Sequence, residues 1–166
     1  MIQKKICMLG AFAVGKTCLV RRYVKSMFDE KYITTVGVKI DKKIVELDGE
    51  QYMLMLWDME GEDDFHTIKM SYLRGASGYL VVADGTREET LDTALDIHFR
   101  AKEAVGDVPF ILLINKSDLH TLWEISDSTL KKIAGTGVDL RITSAKTGSG
   151  VEKTFVDLTR AMAGKL

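Results

Sequence analysis

Residues 2–9 form an apolar-rich run that stops at Gly10, a pattern that predicts a short buried strand. A helical run follows, through Arg21, Arg22 and Tyr23. The stretches 37–47 and 51–57 read as two further strands with Asp48-Gly49 between them. Asp-Gly favours the positive φ angles of a tight turn, so this pair is predicted to be antiparallel. Two later runs, Tyr79-Leu80-Val81-Val82-Ala83 and Phe110-Ile111-Leu112-Leu113-Ile114, are apolar without interruption, as strands covered on both faces should be. A last strand is predicted near 138–143, and helices near 64–74, 87–105, 124–135 and 150–162. Alternating buried strands and helices imply an α/β fold, a mostly parallel six-stranded sheet with one antiparallel edge strand and helices on both faces. Ligands of such sheets bind beyond the carboxyl ends of the strands, so the loops there carry the functional information.

The 166 residues fit one domain, large enough for a two-sided core without disulfides or metals as staples. Composition is ordinary for a soluble protein, with 46% hydrophobic and 28% charged residues. A formal charge of −1 gives no reason to expect nucleic acid as a partner. Cys7 and Cys18 lie in apolar stretches, which suits a reducing compartment, and the scattered His66, His98 and His120 offer no zinc spacing. No signal-peptide core and no transmembrane run is present, so a cytoplasmic location is expected. The sequence ends Ala163-Gly164-Lys165-Leu166 without a prenylation motif; membrane association is expected only if a lipidated tail lies outside it.

The first strand-end loop, Gly10-Ala11-Phe12-Ala13-Val14-Gly15-Lys16-Thr17, is a G-x-x-x-x-G-K-T between a predicted strand and a predicted helix. Its backbone N–H groups, from Ala13, Val14 and Gly15 to Cys18, can curl around phosphates at a helix N-terminus. Lys16 is expected at the β- and γ-phosphates, and the Thr17 hydroxyl on Mg²⁺. The bland alternative is a glycine turn with an incidental lysine. A second loop, Trp57-Asp58-Met59-Glu60-Gly61, sets an aspartate at a strand tip, where it can hold Mg²⁺ through water. Gly61 lets the backbone approach a γ-phosphate. Alone, that D-x-x-G would be an ordinary turn; the upstream loop gives it meaning.

Asn115-Lys116-Ser117-Asp118 follows the strand ending at Ile114. The Asp118 carboxylate can accept from both N1–H and the N2 amine of guanine, whereas adenine would leave it unpaired. The Lys116 stem can lie over the base plane, and Asn115 can tie the base loop to the phosphate loop. In Ser144-Ala145-Lys146 a backbone N–H can meet guanine O6. As a helix cap or turn, each motif is commonplace. Their order, each after a predicted strand, is not.

Together G-x-x-x-x-G-K-T, D-x-x-G, N-K-x-D and S-A-K resemble the Ras superfamily of small GTPases over essentially the whole chain. Tyr32-Ile33-Thr34-Thr35-Val36-Gly37-Val38 and Trp57 resemble its Rab branch. The resemblance implies a P-loop NTPase three-layer αβα sandwich, with 1–166 a single small GTPase domain. It implies a molecular switch that binds GTP and GDP with Mg²⁺ and hydrolyses GTP, expected to be a monomer. Thr35 would bind Mg²⁺ and the γ-phosphate, and Phe28 would stand edge-on to the guanine. Protein effectors and regulators would engage switch I and a switch II from about Asp58 to Leu73.

The catalytic segment departs from the family pattern. Glu62 stands where the water-orienting glutamine is usual; an ionised carboxylate cannot donate a hydrogen bond and repels the γ-phosphate. Glu60 adds a second carboxylate, and Phe12 crowds a position that is glycine in Ras proteins. Gly61, Glu62, Lys16 and Thr35 are thus the candidate catalytic set, with slow hydrolysis expected. The rival is a GTP-binding interaction module with little or no turnover. Another P-loop enzyme, such as a kinase, is disfavoured by the guanine motifs. Met53, Met55 and Met70 are read as core fillers, and Arg21, Arg22 and Arg74 as solvated helix charges.

Overall fold

A computed structural model of the chain describes residues 1–24, 32–33, 38–58 and 70–164, with backbone alone for 32–33 and 70. Phe28, Thr35, Glu60, Gly61, Glu62 and most of the helix predicted over 64–74 lie outside the described residues. The elements are β1 (Ile2–Gly10), α1 (Lys16–Val24), β2 (Tyr32–Ile33), β3 (Lys39–Leu47), β4 (Glu50–Asp58), β5 (Gly78–Asp84), α2 (Glu89–Val105), β6 (Phe110–Asn115), α3 (Asp127–Ala134), β7 (Leu140–Ile142) and α4 (Val151–Met162).

Strand order is β2-β3-β4-β1-β5-β6-β7. β4, β1, β5, β6 and β7 run parallel, and β3 pairs antiparallel with β4. These are the six expected strands; two-residue β2 extends the sheet antiparallel to β3. The β3–β4 turn has φ 52° at Asp48 and 81° at Gly49, the positive pair that Asp-Gly was expected to supply.

Because successive strand residues face opposite ways, each central strand feeds two cores. Ile6 and Met8, Leu54 and Leu56, Leu80 and Val82, Ile111 and Leu113 pack on Leu19, Val20 and Tyr23 of α1 and Phe155 and Leu158 of α4. On the other face Cys7 and Leu9, Tyr79 and Val81, Leu112 and Ile114 pack on Leu91, Ala94 and Ile97 of α2, with Ile125 beside them. The Tyr23 ring stacks on Phe155 with centroids 3.9 Å apart, locking α1 against α4. Met53 and Met55 fall on the half-buried face of β4, so they do not fill the core.

Two helices start later than the pattern predicts, for local reasons. Ser126 stays extended as an N-cap and its side chain accepts from the Thr129 N–H, so α3 begins at Asp127. Before α2, Thr86 donates through N–H and hydroxyl to the Asp84 carboxylate, a turn that occupies the residues up to Arg87. Near the end of the predicted 64–74 helix, Met70–Leu73 forms a single 3₁₀ turn, closed by Gly75 at φ 78°. No helix among the described residues is long and apolar enough to cross a membrane.

Chain direction across the sheet reverses at β1, which lies between β4 and β5. The loops after β1, β4, β5, β6 and β7 therefore emerge along one edge.

Candidate functional site

The loop after β1 turns through Gly10 at φ 145°, Ala13 at φ 60° and Gly15 at φ 104° before α1 begins at Lys16. Lys16 is buried, and its ammonium spans the loop, donating to the carbonyls of Gly10 at 2.8 Å and Ala11 at 3.4 Å. One turn of side chain further, the Thr17 hydroxyl donates to Asp58 Oδ2 at 2.6 Å across from the end of β4. Asp58 is 1% exposed. A hydroxyl and a carboxylate converging beside a lysine form an all-oxygen donor set of the kind that suits Mg²⁺. The residues present fit that ion.

Asn115, at the tip of β6, is also 1% exposed. Its Nδ2 donates to the Val14 carbonyl at 3.0 Å, while its Oδ1 accepts from the Ala145 N–H and the Thr143 hydroxyl, each at 3.2 Å. One carboxamide thus touches the loops after β1 and β7 together. A Cβ at Gly15 would fall 2.3 Å from Asn115 Nδ2, so only glycine lets the two loops approach this closely.

Lys116 adopts φ 72°, which sends its side chain back beneath the loop after β1. Its ammonium donates to the Ala13 carbonyl at 3.0 Å and pairs with Asp84 Oδ2 at 2.8 Å. Asp118 accepts from the Ser144 hydroxyl at 2.7 Å, and that bond holds its carboxyl below the usual range, ionised at neutral pH. Ala13, Cys18 and Lys146 are exposed along the same edge, and Phe12 presents its ring to solvent at 55% exposure.

Three contributors escaped sequence reasoning. Arg22 is not a solvated helix charge: its guanidinium donates to the carbonyl of Ala145 at 2.9 Å and to that of Lys146. Nothing in a helix-face pattern signals that contact. Asp84 closes the fully buried β5 and Arg87 follows it, and here a signal existed: an aspartate at the carboxyl end of a strand, as Asp58 is on β4. Burial alone would raise the Asp84 carboxyl, but hydrogen bonds from Lys116, Thr86 and Arg87 outweigh it and hold it down at about 2.

Comparison with known proteins agrees with this geometry. A family model described as "Ras family" matches residues 5–164. The chain is similar to Ras-related protein Rab-8B of Homo sapiens, 35% identical over 98% of this chain and 79% of that protein. Ras-related protein Rab-8 of Diplobatis ommata is 35% identical over 98% and 78%, and Ras-related protein Rab-8A of Bos taurus 34% over 98% and 79%.

A depressed carboxyl gives stability that is present above its unfolded value of 3.8 and lost as pH falls towards about 2. The urea midpoint should therefore drop between about pH 4 and pH 2. Asp84→Asn should lose that part of the pH dependence and cost ~1–3 kcal/mol at pH 7, where two cations lose their partner. An unchanged profile in the variant would contradict the assignment.

Proposed function

Because the chain belongs to the Ras family, in its Rab-like branch, we propose that this edge binds GTP and GDP with Mg²⁺ and hydrolyses GTP slowly. As a member of that family it is a guanine-nucleotide-binding switch. The observation that supports the binding half of this reading is the Asn115 joint, which ties the loop after β1 to the loop after β7. A base held by one loop and phosphates held by the other are then gripped at fixed separation.

The phosphates lie against the N–H groups from Ala13 to Cys18 and the Lys16 ammonium. Thr17, Asp58 and Thr35 hold the magnesium ion, which when bound supplies charge neutralisation at the phosphate oxygens. The ionised Asp118 accepts from guanine N1–H and N2, the Ala145 N–H faces O6, and Lys116, Lys146 and Phe28 border the ring. Rejection of adenine follows from the carboxylate it would leave unpaired.

Hydrolysis is the weaker half of the chemistry. In the family pattern Gly61 and Thr35 would fix the γ-phosphate and Lys16 would stabilise its charge, but Glu62 cannot donate to an attacking water while ionised. Glu60 adds like charge, and the exposed Phe12 ring stands beside the loop. These three residues favour, as a second reading, a nucleotide-loaded interaction module that scarcely turns over. In either reading protein partners engage residues 32–38 and 58–73. A cytoplasmic location is part of the proposal.

In competition binding, GDP should displace a fluorescent guanine nucleotide far better than ADP does, and Asp118→Ala should abolish that preference. Equal displacement by ADP in the unaltered chain would overturn the base assignment. Single-turnover phosphate release from the GTP complex should be slow and rise by about tenfold or more in Glu62→Gln. Unchanged kinetics in that variant would remove Glu62 as the cause.

A further inference from the structure

A charged cluster in which only Lys116 belongs to a motif lies beneath the phosphate loop. The Asp84 side chain, 1% exposed, accepts at Oδ1 from the Thr86 N–H at 2.8 Å and hydroxyl at 2.7 Å. Its Oδ2 takes Arg87 Nε at 3.1 Å and the Lys116 ammonium at 2.8 Å. Each cation then reaches onward to a loop carbonyl. Arg87 Nη2 donates to Phe12 at 2.7 Å, and Lys116 Nζ to Ala13 at 3.0 Å.

Those two carbonyls are consecutive, and the consequence is geometric. In a trans peptide the C=O and the following N–H point in opposite directions, and no peptide bond among the described residues is cis. Drawing the Phe12 and Ala13 carbonyls outward onto cations turns the Ala13 and Val14 N–H groups to the other side, into the curve of the loop. Ala13 meanwhile sits at φ 60°, a conformation that L residues avoid unless their surroundings impose it. Arg87 suits the task better than lysine would. Its planar fork serves a carboxylate with one nitrogen and a carbonyl with another, whereas an ammonium is a point charge.

We propose that Arg87 is a positioning residue for phosphate binding: braced on Asp84, it fixes the Phe12 peptide so that the Ala13 N–H faces the diphosphate of the bound nucleotide. This rests on the guanine-nucleotide reading of the same site. Arg87 touches no phosphate itself; it acts through the loop backbone, in parallel with Lys116. Its side chain is 36% exposed, so its removal leaves no hole in the core.

The test is the release rate of methylanthraniloyl-GDP from the full chain, chased with excess GDP. Arg87→Ala should release it roughly five- to tenfold faster, the scale of one partly exposed charge-assisted hydrogen bond. Arg87→Lys should fall between the two. Preference for GDP over ADP should persist in both variants, because the Asn115–Ala145 side of the site is untouched, and the urea midpoint without nucleotide should fall by less than in Asp84→Asn, because Thr86 and Lys116 still hold the Asp84 carboxylate. Unchanged release in Arg87→Ala overturns the proposal and leaves the nucleotide site standing. Faster release with a fall in the urea midpoint as large as that of Asp84→Asn, or with no rescue by lysine, also overturns it, leaving Arg87 a merely structural residue. Failure of the wild-type chain to hold GDP in preference to ADP overturns the site reading and this inference with it, and is seen before any variant is made.

Discussion

The carboxamide of Asn115 is a buried polar group between two loops, and the rest of the site is arranged around keeping it satisfied. A buried amide that lost its partners would cost about 1–3 kcal/mol for each group left unpaired. Here both ends are used, Nδ2 on Val14 and Oδ1 on Ala145 and Thr143. Meeting those partners requires β6 to end at that residue, Gly15 to carry no side chain, and the β7 loop to bend inward. The parallel register of β5, β6 and β7 supplies the first and third conditions, because it brings their carboxyl ends to one edge.

Around that joint, cations are used against backbone carbonyls. Arg22 holds the carbonyls of Ala145 and Lys146, Lys116 holds that of Ala13, and Arg87 that of Phe12. Outward carbonyls mean inward N–H groups, and a concave row of N–H groups favours an anion. A single carboxylate, Asp84, balances two of these cations at the base of the loop. The same logic operates away from the site: Lys5 caps the carbonyls of Tyr72 and Arg74 and lies over the Trp57 ring, which fixes the chain as it re-enters the sheet at β5.

Much of the fold could be read from the sequence because its determinants are local. Asp48-Gly49 dictates a hairpin, and uninterrupted apolar runs such as 79–83 and 110–114 dictate doubly covered strands. Element starts were less legible where a side chain competes for the backbone, as Ser126 does at α3 and Asp84 with Thr86 does before α2. The motifs located Gly10–Thr17, Asp58, Asn115–Asp118 and Ser144–Lys146. Arg22 and Arg87 were illegible because their partners are backbone atoms 123 and 75 residues distant in sequence, and any residue type offers a carbonyl. Met53 and Met55 misled for a similar reason: their burial depends on which face of β4 is covered, not on their chemistry.

That one buried side chain couples the two loops can be measured directly by amide hydrogen exchange in Asn115→Ala. If the joint governs both, the N–H groups of Val14, Gly15 and Lys16 and those of Ser144 and Ala145 should lose protection together, while the Leu80–Val82 strand keeps its own. Loss confined to one loop, or full protection in both, would contradict the coupling.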